Sequence, residues 1–236
     1  MKKTFQPLPH TDCVLNDSRL DVWQFSLNRP PTEAEHRRLS EDEQARAKQF
    51  YFERHRRRFI IARATLRHII ARYLNTHASE LCFTYNAHGK PRLDSPLQFN
   101  LSHSGELALL SIGSQHANGI DLEFFSPRPY VNLAQQLFSD KEMLGLHAMP
   151  LSLLPLAFFH VWSQKEAFIK AIGSGLSYPT QQITLPLLPS TDDVFIDPLD
   201  LTPWKITSFM PTTECCAALC YHPSIHTLRY TTEPLL

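Results

Sequence analysis

Between Arg56 and Tyr73 the apolar residues Phe59, Ala62, Leu66, Ile69, Ile70 and Tyr73 recur at three- and four-residue steps, which predicts one face of a long amphipathic helix. Ahead of it, Leu20–Leu27 has the composition of a strand, and Pro30-Pro31-Thr32 opens a polar segment that predicts helix from about 33 to 49. Turn signals at Asn86-Ala87-His88-Gly89 and Asp94-Ser95-Pro96 separate expected strands at 81–85, 97–101 and 106–113. After Asn118-Gly119 the order begins again: a strand over 119–125, short helices over 130–147, a long helix over 155–172, then strands near 182–185, 203–210 and 215–221. Residues 186–200, rich in proline and with Asp as the sole charged type, read as an irregular loop. The pattern therefore predicts two halves of similar plan, 1–115 and 116–236, although no residue-level repeat accompanies the repeated order.

Composition narrows the chemistry. Basic and acidic side chains balance at 23 each, which removes the field expected of a general nucleic-acid binder and leaves phosphate chemistry to local cationic clusters. No apolar run approaches the roughly 20 residues of a membrane-spanning helix. The start, Met1-Lys2-Lys3, has no apolar segment behind it, so a cytoplasmic location is expected. Five irregularly placed cysteines in a chain of 236 residues read as reduced thiols, and Cys215, Cys216 and Cys220 lie in an apolar stretch without the spacing of a zinc site.

Four local signals carry chemistry. In Gly119-Ile-Asp-Leu-Glu123 strand alternation puts Asp121 and Glu123 on one face and Ile120 and Leu122 on the other; two carboxylates side by side repel unless a hard cation sits between them. On the second long helix Trp162, Glu166 and Lys170 stand in a row four residues apart, so Glu166 offers a third carboxylate, while the plain alternative for Glu166 and Lys170 is a surface ion pair. Lys165 falls within the apolar stripe of that helix, where an ammonium is costly unless its stem reaches water or an anion meets it. In Phe99-Asn-Leu-Ser-His-Ser104, His103 and the hydroxyl of Ser102 stand at a strand mouth able to donate to a phosphate. Arg58 lies at the edge of the first helix's apolar stripe and, with Arg46 and Lys90, offers an anion pocket; Arg56, Arg63 and Arg67 group opposite the stripe and read as a solvated face.

Taken together and in order, Gly89-Lys90-Pro91, Phe99–Ser104, Gly119–Glu123, Phe138-Ser139-x-x-Glu142 and Trp162-Ser-Gln-Lys165-Glu166-Ala-Phe-Ile-Lys170 resemble the Sfp-type 4′-phosphopantetheinyl transferases over about Ser40 to His222. The resemblance implies an α+β fold of pseudo-twofold plan, with coenzyme A between the halves. It implies Asp121, Glu123 and Glu166 as ligands of Mg²⁺, with Mn²⁺ as the alternative; His103, Lys165 and Lys170 as phosphate contacts; Arg58 near the 3′-phosphate; and Arg46 and Lys90 as further nucleotide contacts. Glu43 departs from the pattern, standing where some relatives have a basic contact.

The activity so implied moves phosphopantetheine from coenzyme A to a serine of an apo acyl or peptidyl carrier protein, releasing 3′,5′-ADP. Glu166 is the expected base, directly or through water, assisted by Lys170 and His103. A monomer is expected, with no membrane or nucleic-acid partner and with apolar and basic residues near the cleft meeting the carrier. Two alternatives stand beside it. A metal-dependent nuclease would place a lysine two residues after the second acid, where this chain has Phe125, and a scaffold that binds carriers without catalysis would not need all three acids and both lysines.

Overall fold

The computed structural model describes residues 2–188 and 193–232. Its first half runs β1 (Gln6–Pro7), β2 (Arg19–Ser26), α1 (Glu33–Arg38), α2 (Glu41–Lys48), α3 (Glu53–Leu74), β3 (Thr84–Tyr85), β4 (Pro91–Arg92), β5 (Leu97–Ser104) and β6 (Leu107–Ser114). The second runs β7 (Asn118–Phe124), α4 (Tyr130–Leu137), α5 (Asp140–His147), α6 (Leu154–Ile172), β8 (Asp193–Ile196), β9 (Pro203–Thr212), β10 (Cys215–Tyr221) and β11 (Thr227–Thr232). The expected helix over 33–49 is two helices. Leu39 is extended, and each helix starts with its own S/T-x-x-E box, Thr32 with Glu35 and Ser40 with Glu43, so the backbone amides at both starts find acceptors.

Two sheets form the frame. One has strand order β1-β11-β2-β6-β5 and the other β7-β10-β9-β8, with β3 and β4 as a separate pair. Period-2 alternation lets each sheet face two partners at once. From β2 and β6, Trp23, Leu110 and Ile112 pack on Leu66, Ile69 and Ile70 of α3. Their neighbours Leu20, Val22 and Leu109 point the other way, onto Ile120, Leu122, Ala217 and Leu219 of the second sheet. The second sheet repeats this arrangement, with Ala218 and Cys220 of β10 turned toward Ala167, Phe168 and Ala171 of α6. The result is helix, sheet, sheet, helix, the α+β plan of two similar halves.

Several local expectations need correction. Of the strand expected over 81–85 only Thr84–Tyr85 pairs, and the strand expected near 182–185 does not form: residue 182 ends a 3₁₀ turn over Thr180–Gln182 and 183–185 are not in a strand. The proline-rich segment 186–200 includes β8, paired antiparallel with β9, while its residues 189–192 lie outside the described residues. Strands β1 and β11, too short and too polar to stand out as pattern, were not anticipated; β11 returns to the first sheet and runs parallel to β2 from Thr227 opposite Arg19 to Thr232 opposite Gln24.

All five cysteines are free thiols, and among the described residues no helix is long and apolar enough to cross a membrane. Burial in β10 pushes the Cys216 thiol up to about 12, which keeps it protonated and unreactive near neutrality.

The contact between α6 and β7 depends on Gly119. A Cβ there would lie 2.0 Å from the Ala167 carbonyl oxygen and 2.4 Å from the Ala171 nitrogen, both backbone atoms that cannot move aside alone. Gly119→Ala should therefore cost about 3 kcal/mol in chemical denaturation, at the upper end of overpacking effects. A loss under about 1 kcal/mol would show that the helix and strand are not in this close contact.

Candidate active site

The first sheet ends at β5 and the second begins at β7, and side chains tie the two strands together. Three alternate residues of β5 reach across: Asn100 Oδ1 accepts from the Ile120 amide at 2.9 Å, Ser102 donates to Asp121 Oδ1 at 3.0 Å, and Ser104 donates to Glu123 Oε2 at 3.3 Å. Asp121 and Glu123 thus lie on the side of β7 that turns to α6. From α6, Lys170 Nζ donates to Asp121 Oδ1 at 2.6 Å and to Ser102 Oγ at 2.9 Å. The surface-pair reading of Lys170 fails for this reason: its ammonium is committed across the cleft to a buried carboxylate.

Above this floor two adjoining cavities open. One, of about 740 Å³, is lined by Arg46, Arg63, His88, Ser102, His103 and Lys170; the other, of about 310 Å³, by Lys90, Glu166, Lys170 and Gly173 among others. Lys170 and the Asn86–Pro91 turn border both. That turn is held in place where Asn86 Nδ2 donates at 2.7 Å to the carbonyl of Gly173, the left-handed residue that ends α6. His103 is exposed by surface area but stands among packed groups. That desolvation, followed by the charges of Lys170, Arg58 and His55, holds its pKa below the ordinary histidine value.

The carboxylates feel one another. Burial first, and then the charge of Asp121, raises the pKa of both Glu123 and Glu166; Arg128 and Ser104 partly offset this at Glu123, and Lys170 at Glu166. Asp121 Oδ2 is buried with no hydrogen-bond partner. An orphaned hard-oxygen acceptor beside two crowded carboxylates is a donor set that fits a hard divalent cation. The expected convergence is nevertheless not preassembled: among the described residues no three His, Cys, Asp or Glu side chains are grouped closely enough to hold an ion.

Three arginine and lysine expectations change. Lys165 does not face the cleft. Its side chain is 1% exposed, and its three N–H donors are used by Glu142 Oε2 at 2.8 Å and the carbonyls of Thr180 and Ile183 at 2.7 and 2.9 Å. The anion that its place in the apolar stripe required is Glu142, which also accepts from the Ser139 and Leu185 amides. Arg58 spends Nε and Nη2 on Glu106, at 3.2 and 2.7 Å, in a cluster shared with Arg57. Arg63 and Arg67 are not a solvated face: both are buried against Glu43, whose two oxygens accept from their Nε atoms at 2.6 Å each. Glu43 stands in the acidic role this requires. Arg46 borders the large cavity and stacks its guanidinium over Phe59, 5.5 Å from the ring centre.

The family described as 4′-phosphopantetheinyl transferase superfamily matches residues 117–217, and that described as 4′-phosphopantetheinyl transferase, N-terminal, matches 23–115. The chain is 34% identical over 228 residues to the 4′-phosphopantetheinyl transferase HetI of Nostoc sp., covering 93% of this chain and 94% of that protein. The chain belongs to the 4′-phosphopantetheinyl transferase superfamily. It is also 30% identical to 4′-phosphopantetheinyl transferase Sfp of Bacillus subtilis, over 71% of this chain and 77% of that one. A human relative, L-aminoadipate-semialdehyde dehydrogenase-phosphopantetheinyl transferase, is 30% identical over 73% of this chain and 62% of its own length.

Within this transferase fold the site also uses residues that sequence reasoning left unassigned. Asn100 and Ser104 share a face of β5 with Ser102, a period-2 signal of small polar residues that was present in the motif. Glu106 and Arg63 gave no such signal, because their partners lie 49 and 20 residues away in sequence.

Two measurements follow from these placements. Lys165→Met leaves the Glu142 carboxylate buried without a cation and should cost about 3–5 kcal/mol in denaturant melts, much of it regained when Glu142→Gln is added. An unchanged melting midpoint with weakened coenzyme A binding would instead put that ammonium in the cleft.

Lys90 donates to the Ala171 and Asn118 carbonyls, and burial, then the charge of Arg92, lowers its pKa to about 8. The folded state therefore binds fewer protons than the unfolded chain between about pH 8 and the ordinary 10.5. The wild-type protein should gain stability relative to Lys90→Met as pH rises through that window. A stability difference that is flat or falls with pH would contradict the shift.

Proposed function

We propose that this protein transfers the 4′-phosphopantetheine moiety of coenzyme A to a serine hydroxyl of an apo acyl or peptidyl carrier protein, releasing 3′,5′-ADP. The observation that carries the reading is the Lys170 ammonium, pinned by Asp121 and Ser102 between two cavities and beside two carboxylates of raised pKa. That the relatives from Nostoc sp. and Bacillus subtilis are 4′-phosphopantetheinyl transferases supports the same chemistry.

In this reading the larger cavity takes the nucleotide end of coenzyme A along Arg46 and His103, and Lys170 meets the pyrophosphate. Lys90 stiffens the turn that closes the space. Arg58 contributes its charge from behind Glu106 and does not serve as a direct fork on phosphate. Asp121, Glu123 and Glu166 would hold Mg²⁺, with Mn²⁺ as the alternative, and the ion when bound supplies neutralisation of the pyrophosphate oxygens. Glu166 takes the serine proton, directly or through water; its raised pKa makes it a better base than an ordinary surface carboxylate. The serine oxygen forms a bond to the β-phosphorus as the bond to the bridging oxygen breaks, and the electron pair leaves with 3′,5′-ADP. Lys170 offsets charge on that leaving group.

The reading extends to a monomer acting in the cytoplasm, with residues 1–115 contributing nucleotide contacts and 116–236 the acidic cluster. Neutral net charge supports the exclusion of nucleic acid as a partner. Incubation with coenzyme A, Mg²⁺ and a panel of apo carrier proteins tests it by the mass gained on the carrier serine. Glu166→Gln should lower transfer at least a hundredfold while the melting curve stays within about 1 kcal/mol of wild type, since a general base contributes 10²–10⁴ in rate. Substantial turnover by that variant would remove Glu166 from the mechanism, and no transfer to any carrier by the wild type would reject the activity.

A further inference from the structure

The far end of α3 carries a cationic cavity that the cleft chemistry does not use. It measures about 510 Å³ and is lined by His10, Arg37, Arg38, His68, Arg72 and His77, with small residues of the following turn. Arg58 and Arg72 are 14 positions apart on α3, so roughly 20 Å separates these two positions along the helix at 1.5 Å per residue.

Arg72 is built into the wall. It is 8% exposed, its Nη2 donates to the Leu8 carbonyl at 2.8 Å, its guanidinium lies 5.1 Å from the centre of the Trp23 ring, and its Nε is buried with no hydrogen-bond partner. Among the described residues no carboxylate pairs with it, and neither Arg37 nor Arg38 makes a side-chain hydrogen bond or ion pair. The nearby acids are engaged elsewhere: Glu35 is held by both terminal nitrogens of Arg29, and Glu80 accepts from the Thr76 hydroxyl and the His77 amide.

Cations at a helix C-terminus complement the helix dipole, but each of the two ends here, of α1 and α3, carries only about half an elementary charge, so three guanidiniums leave a clear positive excess. The excess is visible at His68, where burial first and then the charges of Arg38, Arg72 and His10 lower the pKa to about 4. A buried, uncompensated guanidinium is costly unless an anion meets it.

We propose that this cavity is a second anion site, separate from the active-site cleft, which takes the phosphate group of a phosphorylated small molecule. A phosphate monoester carries close to two charges near neutral pH where a carboxylate carries one, and forked guanidinium groups suit its oxygens. The exposed Arg37 and half-buried Arg38 of α1 would close on the ligand from one side and Arg72 would fix the field from the other. The proposal does not depend on the transferase reading.

The test titrates the full-length protein, with and without saturating coenzyme A, with inorganic pyrophosphate at constant ionic strength, following backbone amide and imidazole NMR signals. Saturable shifts at residues 71–79 and at His68 are expected in both arms, with affinity falling at least tenfold in Arg37→Ala/Arg38→Ala while coenzyme A binding stays within twofold. Both arginines lack partners, so the double variant should keep its fold. Absence of saturable shifts at these residues, their loss when coenzyme A is present, or an affinity unchanged in the double variant would each overturn the site, the last identifying an adventitious ion only.

Discussion

Everything at the cleft depends on how β5 and β7 approach each other without sharing a sheet. Backbone pairing would have locked the two strands into one ladder and turned the cleft into a continuous surface. Side chains do the joining instead, through Asn100, Ser102 and Ser104, and the same hydroxyls that join the strands orient Asp121 and Glu123. Architecture and acid chemistry are therefore one constraint. A side chain that satisfies a buried carboxylate also sets the distance between the halves, which is why small polar residues, and not branched apolar ones, occupy alternate positions at the end of β5.

Charge is distributed unevenly about this joint. In the wall of the larger cavity Glu43 with Arg63 and Arg67, and away from the cleft Glu142 with Lys165, form buried ion pairs whose hydrogen bonds run to turns and helix starts. Such pairs are weak sources of net stability, because desolvation offsets much of the attraction, but breaking one partner is expensive. They fix the register of the surrounding loops. At the floor of the cleft the balance differs: of the three carboxylates Lys170 bonds Asp121 alone and reaches Glu123 and Glu166 only through its charge, and one oxygen of Asp121 has no hydrogen-bond partner. The frame is neutralised and the cleft is left with unspent negative charge, the electrostatic contrast expected of a site waiting for a cationic or strongly polar occupant.

Much of this was readable in the chain. The two long helices, the strands around the motifs and the shared face of Asp121 and Glu123 all follow from periodicity, because burial on one side leaves a regular trace. The resemblance supplied the cleft. Roles that depend on long-range partners were not readable. The resemblance implied Lys165 as a phosphate contact; its helix position demands only an anion or an exposed stem, and nothing local says that the anion comes from Glu142, 23 positions back. Arg63 and Arg67 looked solvated because a helical wheel shows the face opposite the apolar stripe but cannot show that α2 covers it. The break between α1 and α2 was legible in the repeated S/T-x-x-E boxes, which an unbroken polar run obscured.

The return of β11 to lie between β1 and β2 has a topological consequence. Sequence order and spatial order part company here: the final strand completes the sheet that the opening residues began. Without it β2 becomes an unpaired edge, presenting a ladder of free backbone groups open to association with other chains. The first sheet is therefore whole only once the chain through Thr232 has been made, so the first half cannot complete its own sheet ahead of the second.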